Sequence, residues 1–146
     1  MHVVIVCDSK FGNTEQVARA AQTALAAGNT VDLRSAAEGV GDLTGVDLLL
    51  VGGPTHAHGA SAPLKEALRA LPRGSLAGMR AATFDTRFRM SRLLTGSAAA
   101  AAASLLRRAG ARTVVPPESF FVTRVTPPTL EAGELERVAA WALSAA

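Results

Sequence analysis

A polar loop, CDSKFGNTEQ, follows the first apolar run of this 146-residue sequence. Its centre offers two hydroxyls, an amide and a lysine around a single glycine. A helix that begins near Asn13 has free backbone N–H groups and a positive dipole end, which together bind an anion such as phosphate. Gly12 lets the backbone approach that anion closely. Helix capping by Asn13 or Thr14 is a simpler interpretation, but it leaves Ser9 and Gly12 unexplained.

This loop lacks the spacing of the two commonest phosphate motifs. It has neither the Gly-Lys-Ser/Thr ending of a Walker A loop nor the GxGxxG pattern of dinucleotide-binding proteins. Asp8 alone does not form the acidic cluster that a phospho-receiver domain needs after its first strand. The loop therefore predicts an anion site that belongs to neither of these motif classes.

Two histidines and an aspartate form a second chemical group. His56 and His58 flank Ala57 in GGPTHAHG, and Asp85 follows a later apolar run. Two histidines and a carboxylate can bind iron or another divalent metal. Alternate residues of an extended loop point in opposite directions, however, so we expect no metal site here. A histidine that hydrogen-bonds a bound ring or donates a proton to it is the favoured interpretation.

Alternating strands and helices must position these groups. The predicted strands span His2–Cys7, 30–33, 46–51, 80–84 and 112–115, with 118–123 as an extension of the last. The predicted helices span 13–27, 62–71, 96–108 and 133–145. We expect GGP at 52–54 to end the third strand. The pattern predicts one α/β domain over 1–146, a three-layer, doubly wound, five-stranded parallel sheet. Ligands bind such sheets beyond the carboxyl ends of the strands, at 8–14, 52–61 and 84–95.

Composition excludes several classes of function. Hydrophobic residues make up 49%, which is enough for a full core, and charged residues make up 18%, which is below average, so we expect no disorder. No apolar run approaches the ~20 residues that span a membrane, so we expect no membrane association and a cytoplasmic location. Fifteen dispersed basic residues, no tyrosine and one tryptophan argue against nucleic-acid binding. The single cysteine, Cys7, allows no internal disulfide and is expected to be buried and inert.

Three segments together carry a resemblance to a known family. SKFGNTE, at the first strand–helix turn, resembles the flavodoxin phosphate loop, Ser/Thr-x-Thr-Gly-x-Thr. GGPTHAHG resembles the second flavin loop of flavodoxin-like proteins, and TFDTRFR falls where the third loop belongs. The order and spacing of elements resemble those of short-chain flavodoxins over the whole chain. The resemblance implies the strand order 2-1-3-4-5, non-covalent FMN and electron transfer.

The resemblance also implies which residues contact FMN. The phosphate would be held by Ser9, Lys10, Phe11, Gly12, Asn13 and Thr14. One side of the flavin ring would be lined by Pro54, Thr55, His56, Ala57, His58 and Gly59. The other side would be lined by Asp85, Thr86, Arg87 and Phe88. His56 and His58 are the candidate proton donors of this site.

The chain departs from the flavodoxin pattern in its aromatic residues and its charge. Phe11 replaces a threonine of the phosphate loop, and Trp141 lies in the last helix rather than near the flavin loops. His56, His58 or Phe88 remain as weaker stacking groups. The rim carries Arg87, Arg89 and Arg92, where ordinary flavodoxins are acidic. These arginines predict a less negative reduction potential for the final electron. A second interpretation is that they attract an anionic partner or substrate, and a third is that they are simply solvated.

Three functions remain open at this point. The first is an FMN-binding electron carrier that is a monomer or weak dimer. It works with a redox partner protein, and an acidic partner is one option. The second is an FMN-dependent reductase of quinone-like acceptors that uses NAD(P)H, with a histidine as proton donor. The third is a flavodoxin-fold binding module without flavin. A deazaflavin with a longer anionic tail is an alternative ligand that the arginines would suit.

Overall fold

The computed structural model describes residues 1–56, 59–91 and 96–146. The strands are β1 (His2–Cys7), β2 (Thr30–Ser35), β3 (Leu48–His56), β4 (Gly59–Ala60), β5 (Arg80–Phe88), β6 (Arg112–Thr113) and β7 (Glu118–Val122). The helices are α1 (Asn13–Leu25), α2 (Ala62–Arg69), α3 (Ala98–Arg108) and α4 (Glu134–Ala145), and a 3₁₀ turn covers Ala36–Glu38. Within the described residues, no helix combines the length and the apolar character needed to cross a bilayer.

The sheet is parallel along the path β2-β1-β3-β5-β6, which confirms the predicted order 2-1-3-4-5. The predicted fifth strand and its extension are two short strands, because Pro116 and Pro117 interrupt the ladder between them. Both pair in parallel with β5: β6 pairs with its beginning and β7 with its end. The two-residue β4 folds back antiparallel onto the end of β3.

Two apolar clusters, one on each face of the sheet, form the core. On one face, side chains of α1 and α4 pack against alternate strand residues such as Val3, Ile5 and Phe84. On the other face, α2 and α3 pack against the intervening residues, such as Val4 and Val6. The central strands therefore carry apolar side chains on both faces, as is usual in parallel sheets that helices cover on both sides. The doubly wound α/β architecture predicted from the sequence is confirmed.

The third and fifth strands extend further than the sequence predicted. GGP does not end β3, which continues through Gly52 to His56. A Cβ atom at Gly52 would lie 2.2 Å from the Phe84 ring, so this glycine makes room for a side chain rather than a turn. Beyond the last β1 pair, Cys7 with Gly52, one edge of β3 is open and tolerates Pro54. β5 continues to Phe88 because β7 pairs with its second half.

Candidate functional site

A groove lies at the carboxyl ends of β1, β3 and β5, where the three predicted loop segments converge. Its walls are Lys10, Phe11, Asn13, Thr14, Pro54, Thr55, His56, Thr86, Arg87, Phe88, Val122 and Pro128. All but the last two were expected from the sequence to contact a cofactor. The enclosed volume is about 130 Å³, below the ~300–1,000 Å³ of typical cofactor pockets. A flat ring would therefore be enclosed only in part, with its remainder against the outer walls.

The first turn of α1 leaves two backbone donors at one end of this groove. Gly12 precedes the helix in the left-handed conformation, with φ of 86°, and it has no side chain with which to cap the helix. The Ser9 hydroxyl accepts hydrogen bonds from the N–H groups of Gly12, at 3.1 Å, and Glu15, at 3.3 Å. In the described part of the chain, the N–H groups of Asn13 and Thr14 have no acceptor. Both residues are buried, so an anion at this point would satisfy two otherwise unpaired donors.

The side chains of the same two residues hold the groove together. The Asn13 amide donates to the Pro128 carbonyl, with 2.9 Å between nitrogen and oxygen. The Thr14 and Thr86 hydroxyl oxygens lie 2.8 Å apart in a buried contact between α1 and β5. These side chains, which were expected to bind phosphate directly, thus fix the positions of neighbouring segments. Their backbone N–H groups remain available to a ligand.

Two exposed aromatic rings extend the groove outward, each beside a basic side chain. Phe11 is 59% exposed, and the Lys10 ammonium lies 5.4 Å from the centre of its ring. Phe88 is 37% exposed, and the Arg124 guanidinium lies 5.0 Å from its ring centre. Both distances are typical of cation–π contacts. The mouth of the groove is therefore both aromatic and cationic.

A fourth wall, Val122 and Pro128, was not predicted. The chain turns back after β7, with Thr123 N–H donating to the Thr129 carbonyl at 2.7 Å and Leu130 bridging to Val122. The Asn13 amide then ties this turn to α1. The proline pair at 127–128 was the one available signal, and it indicates a turn without indicating its direction. Only the tertiary fold brings Pro128 to the groove.

Several predicted site residues lie elsewhere. Asp85 is fully buried on the face of β5 opposite Thr86, because successive strand residues point to opposite faces, so it does not line the groove. Gly59 lies in β4 and also does not line the groove. Ser9 and Gly12 do not line the groove, and the Gly12 N–H donates to the Ser9 hydroxyl within the loop before α1. The predictions for Ala57, His58 and Arg92 fall outside the described residues.

The rim arginines differ in their environments. Arg87 is buried, and its guanidinium donates to the carbonyls of Met90, at 2.6 Å, and Gly96, at 2.9 Å. Arg89 is bound to the Glu131 carboxylate at 3.2 Å, and its guanidinium lies 4.1 Å from the Phe121 ring centre. Arg87 therefore supports the loop after β5, while Arg89 forms a paired surface charge. The expectation of a freely solvated rim does not apply to Arg87.

A wider polar depression on the other side of α1 is a weaker candidate. It is lined by residues from the end of β1, α1 and β2, including Cys7. Its arginines are already paired: Arg19 contacts Glu15 at 2.7 Å, and Arg34 lies 3.7 Å from Asp32. Burial, reinforced by nearby carboxylates, raises the pKa of the Cys7 thiol to about 11, so it stays protonated at neutral pH. In the described residues, no three histidine, cysteine or acidic side chains group as metal ligands.

Comparisons with known proteins agree with this architecture. No family model matches the chain, and no curated protein matches it. The solved structure of oxidised Flavodoxin 1 from Bacillus cereus has a TM-score of 0.84 at 19% identity, with 99% of this chain and 97% of that chain covered. A flavodoxin from the domain Archaea has a TM-score of 0.75 at 16% identity, with 99% and 96% covered. A short-chain flavodoxin associated with a bacterial microcompartment has a TM-score of 0.78 at 17% identity, with 99% and 95% covered. The chain therefore has the flavodoxin-like fold, as its resemblance to that family implied.

Proposed function

We propose that this protein binds FMN non-covalently in the groove and carries electrons between partners. The observation that carries the proposal is the convergence of three loop segments on one groove, beside two N–H donors at the start of α1 that have no acceptor among the residues the structure describes. The donors suit a phosphate, and the groove suits the edge of a flat ring. The fold is that of solved flavodoxins, which supports the same ligand by analogy.

The phosphate would bind at the N-terminus of α1. The Asn13 and Thr14 N–H groups would donate to it, and the positive end of the helix dipole would stabilise its charge. The Ser9 hydroxyl accepts two backbone hydrogen bonds, so its own O–H remains a third donor. Gly12 leaves open space around its α-carbon, so the ligand can approach the backbone closely.

The ring would lie between the ends of β3 and β5. Pro54, Thr55 and His56 form one wall, while Thr86 and the two residues after it form the other. When bound, FMN supplies the redox chemistry, and the protein supplies position and electrostatics. The exposed Phe11 and Phe88 rings are the aromatic surfaces nearest the mouth, and they stand in for the tyrosine and tryptophan that this region lacks.

A partner with an acidic surface fits the mouth of this groove. Lys10 and Arg124 lie beside exposed aromatic rings there, and a negatively charged partner would be attracted to both cations. The flanking Met90, 38% exposed, and Val125, 56% exposed, would add apolar contact. Aromatic residues, methionine and arginine, such as Phe88, Met90 and Arg124 here, are enriched at protein interaction surfaces.

An FMN-dependent reductase is the second candidate, and the position of His56 favours it. His56 lies on the groove wall, where an imidazole can donate a proton to a small acceptor. The two candidates differ in whether the protein reacts with NAD(P)H by itself. For the carrier, FMN-loaded protein mixed with NADH or NADPH and a quinone should consume nucleotide no faster than free FMN. Sustained turnover that falls in His56→Gln would favour the reductase instead.

A further inference from the structure

The Asp85 carboxylate replaces an external anion at the start of α3. One of its oxygens, Oδ2, accepts hydrogen bonds from the Ser97 hydroxyl at 2.6 Å, the Thr55 hydroxyl at 3.1 Å and the Ala99 N–H at 3.0 Å. The two hydroxyls in turn accept the neighbouring N–H groups of α3. The first turn of α3 therefore has its donors occupied by protein groups, unlike the first turn of α1.

The other oxygen of the same carboxylate, Oδ1, has no hydrogen-bond partner among the described residues. It is buried, and the residue as a whole is 0% exposed. No ion pair of Asp85 occurs among residues 1–56, 59–91 and 96–146. Three donors to one oxygen suit an ionised carboxylate, which only accepts hydrogen bonds. The helix dipole supplies about half a positive charge, so a net negative charge remains behind the groove.

This charge lies directly behind the groove walls. Thr55, which donates to Asp85, lines one wall. Thr86, the next residue of β5, lines the other wall and contacts Thr14 at the start of α1. The register of the sheet places Asp85 opposite Gly53, beside Pro54 of the first wall. Asp85 therefore connects both walls from behind, where solvent screens its charge weakly.

We propose that the buried charge of Asp85 lowers the reduction potential of the bound FMN. The inference rests on the proposed FMN site. Reduction adds negative charge to the flavin, and a nearby fixed negative charge weakens binding of the reduced form relative to the oxidised form. The guanidinium of Arg87, two residues later on the same strand, acts in the opposite direction. Replacing Asp85 alone isolates its own contribution, because Arg87 remains in place.

Asp85→Asn is the sharpest test, because asparagine preserves the shape and keeps one oxygen for the three donors. Its NH₂ group takes the place of the unpartnered Oδ1. We expect this variant to bind reduced FMN at least tenfold more tightly, relative to oxidised FMN, than the wild type does. For a two-electron couple, that ratio raises the midpoint potential by about 30 mV. Midpoint potentials of the FMN-loaded proteins, measured against reference dyes, provide the readout.

Two controls separate charge from structure. Asp47→Asn neutralises a carboxylate that accepts the His2 N–H, at 2.7 Å, at the amino end of β3, and it should leave the potential unchanged. Ser97→Ala removes one donor to Asp85 but keeps the charge, so it should lower the stability of the apo-protein while moving the potential far less. Asp85→Ser serves as a second neutral variant if Asp85→Asn does not fold.

The outcomes distinguish this inference from the proposed function. A wild type that binds no FMN overturns both. A wild type that binds FMN, with the potential of either neutral Asp85 variant unchanged, overturns the role of Asp85 and leaves FMN binding intact. Equal shifts in Asp85→Asn and Ser97→Ala would also overturn it, because they would show that positioning alone moves the potential.

Discussion

The hydroxyl oxygens of Thr14 and Thr86 lie 2.8 Å apart, although 72 positions separate the two residues. The contact is buried, and it joins the first turn of α1 to the end of β5 across the inner end of the groove. Each hydroxyl is the partner of the other, so the removal of one leaves a buried polar group unpaired. This pair fixes the distance between the proposed phosphate site and one wall of the proposed ring site.

Thr86→Val tests that relationship. We expect the variant to lose about 1–3 kcal/mol of stability, because the Thr14 hydroxyl remains buried without its partner. The double variant, Thr14→Val with Thr86→Val, should lose less than the sum of the two single variants, since two apolar groups can pack against each other. Urea unfolding of the four proteins without ligand measures both effects. Strictly additive losses would contradict an energetic coupling between the two hydroxyls.

Reversing charge at the groove mouth should change the reaction with charged oxidants. In the FMN-loaded protein, Lys10→Glu combined with Arg124→Glu should slow oxidation of the reduced flavin by ferricyanide about tenfold at low salt, because steering of an anion is lost. The same variant should react faster with the cationic oxidant hexaammineruthenium(III). Stopped-flow measurements at two salt concentrations check both effects, which should shrink at high salt.

Arg73→Glu combined with Arg112→Glu is the matched control for that experiment, because it also changes the net charge by four units. Arg73 is exposed in the connection that leads into β5, and Arg112 is exposed where β6 begins, so both reversals lie at the amino ends of the strands, away from the mouth. A variant that alters both oxidant rates as strongly as the mouth variant would show that overall charge, rather than the charge at the groove, governs the reaction.

Glu134 and Glu136 should contribute differently to the loss of folding stability at acid pH. Although burial alone raises the pKa of Glu134, hydrogen bonds from the Arg137 side chain and the Phe121 N–H lower it below the ordinary value of 4.5. Its stabilising contribution is therefore complete above about pH 4.5 and is lost as the pH falls through the lowered pKa of the folded state. Wild type should lose more stability between about pH 5 and pH 3 than Glu134→Gln does.

Glu136→Gln provides the comparison, because Glu136 lies on the same helix but is exposed. Urea unfolding at several pH values should give this variant the acid sensitivity of the wild type. At neutral pH, Glu134→Gln should be less stable than wild type by about 1–2 kcal/mol, since hydrogen bonds to a charged group are lost. Parallel pH profiles for wild type and Glu134→Gln would refute the assigned role of this carboxylate.

Gly52→Ala should be strongly destabilising, although the change adds one methyl group. The new Cβ atom would lie 2.2 Å from the Phe84 ring, which is fully buried and cannot move away without displacing its neighbours. Overpacking of this kind costs about 1–3 kcal/mol, occasionally more. Gly59→Ala is the control, because its Cβ would meet, among the described residues, only the Lys65 side chain at 3.9 Å. Thermal unfolding that ranks the two variants equally would contradict this explanation of Gly52.

The alternation of elements and the three loop segments were predictable from local sequence. Strands and helices are indicated by patterns among neighbouring residues, namely apolar β-branched runs and helical spacing with caps. The parallel topology then follows from the order of these elements along the chain. The ends of β3 and β5 were not predictable in the same way. GGP is typical of a turn, and only the packing of Phe84 against Gly52 reveals why the strand continues.

The interior of the site was less predictable than its outline. Asp85 belongs to a loop segment by sequence, but the register of β5 turns it away from the groove and under the start of α3. Pro128 reaches the groove through a hydrogen bond from Asn13, more than a hundred positions earlier. Contacts of this kind depend on strand length and chain direction, which a one-dimensional pattern does not specify.

Titration of the protein with FMN tests the central claim most directly. Flavin fluorescence and the emission of Trp141, the only tryptophan in the chain, should both be quenched in a saturable 1:1 titration. Gly12→Val should weaken binding at least tenfold, because a β-branched residue is strained at φ of 86° and would reshape the loop. Gly28→Val, with similar strain at φ of 79° beyond the end of α1, should bind as wild type does. Failure of the wild type to bind FMN, or equal affinity in Gly12→Val, would contradict the proposed site.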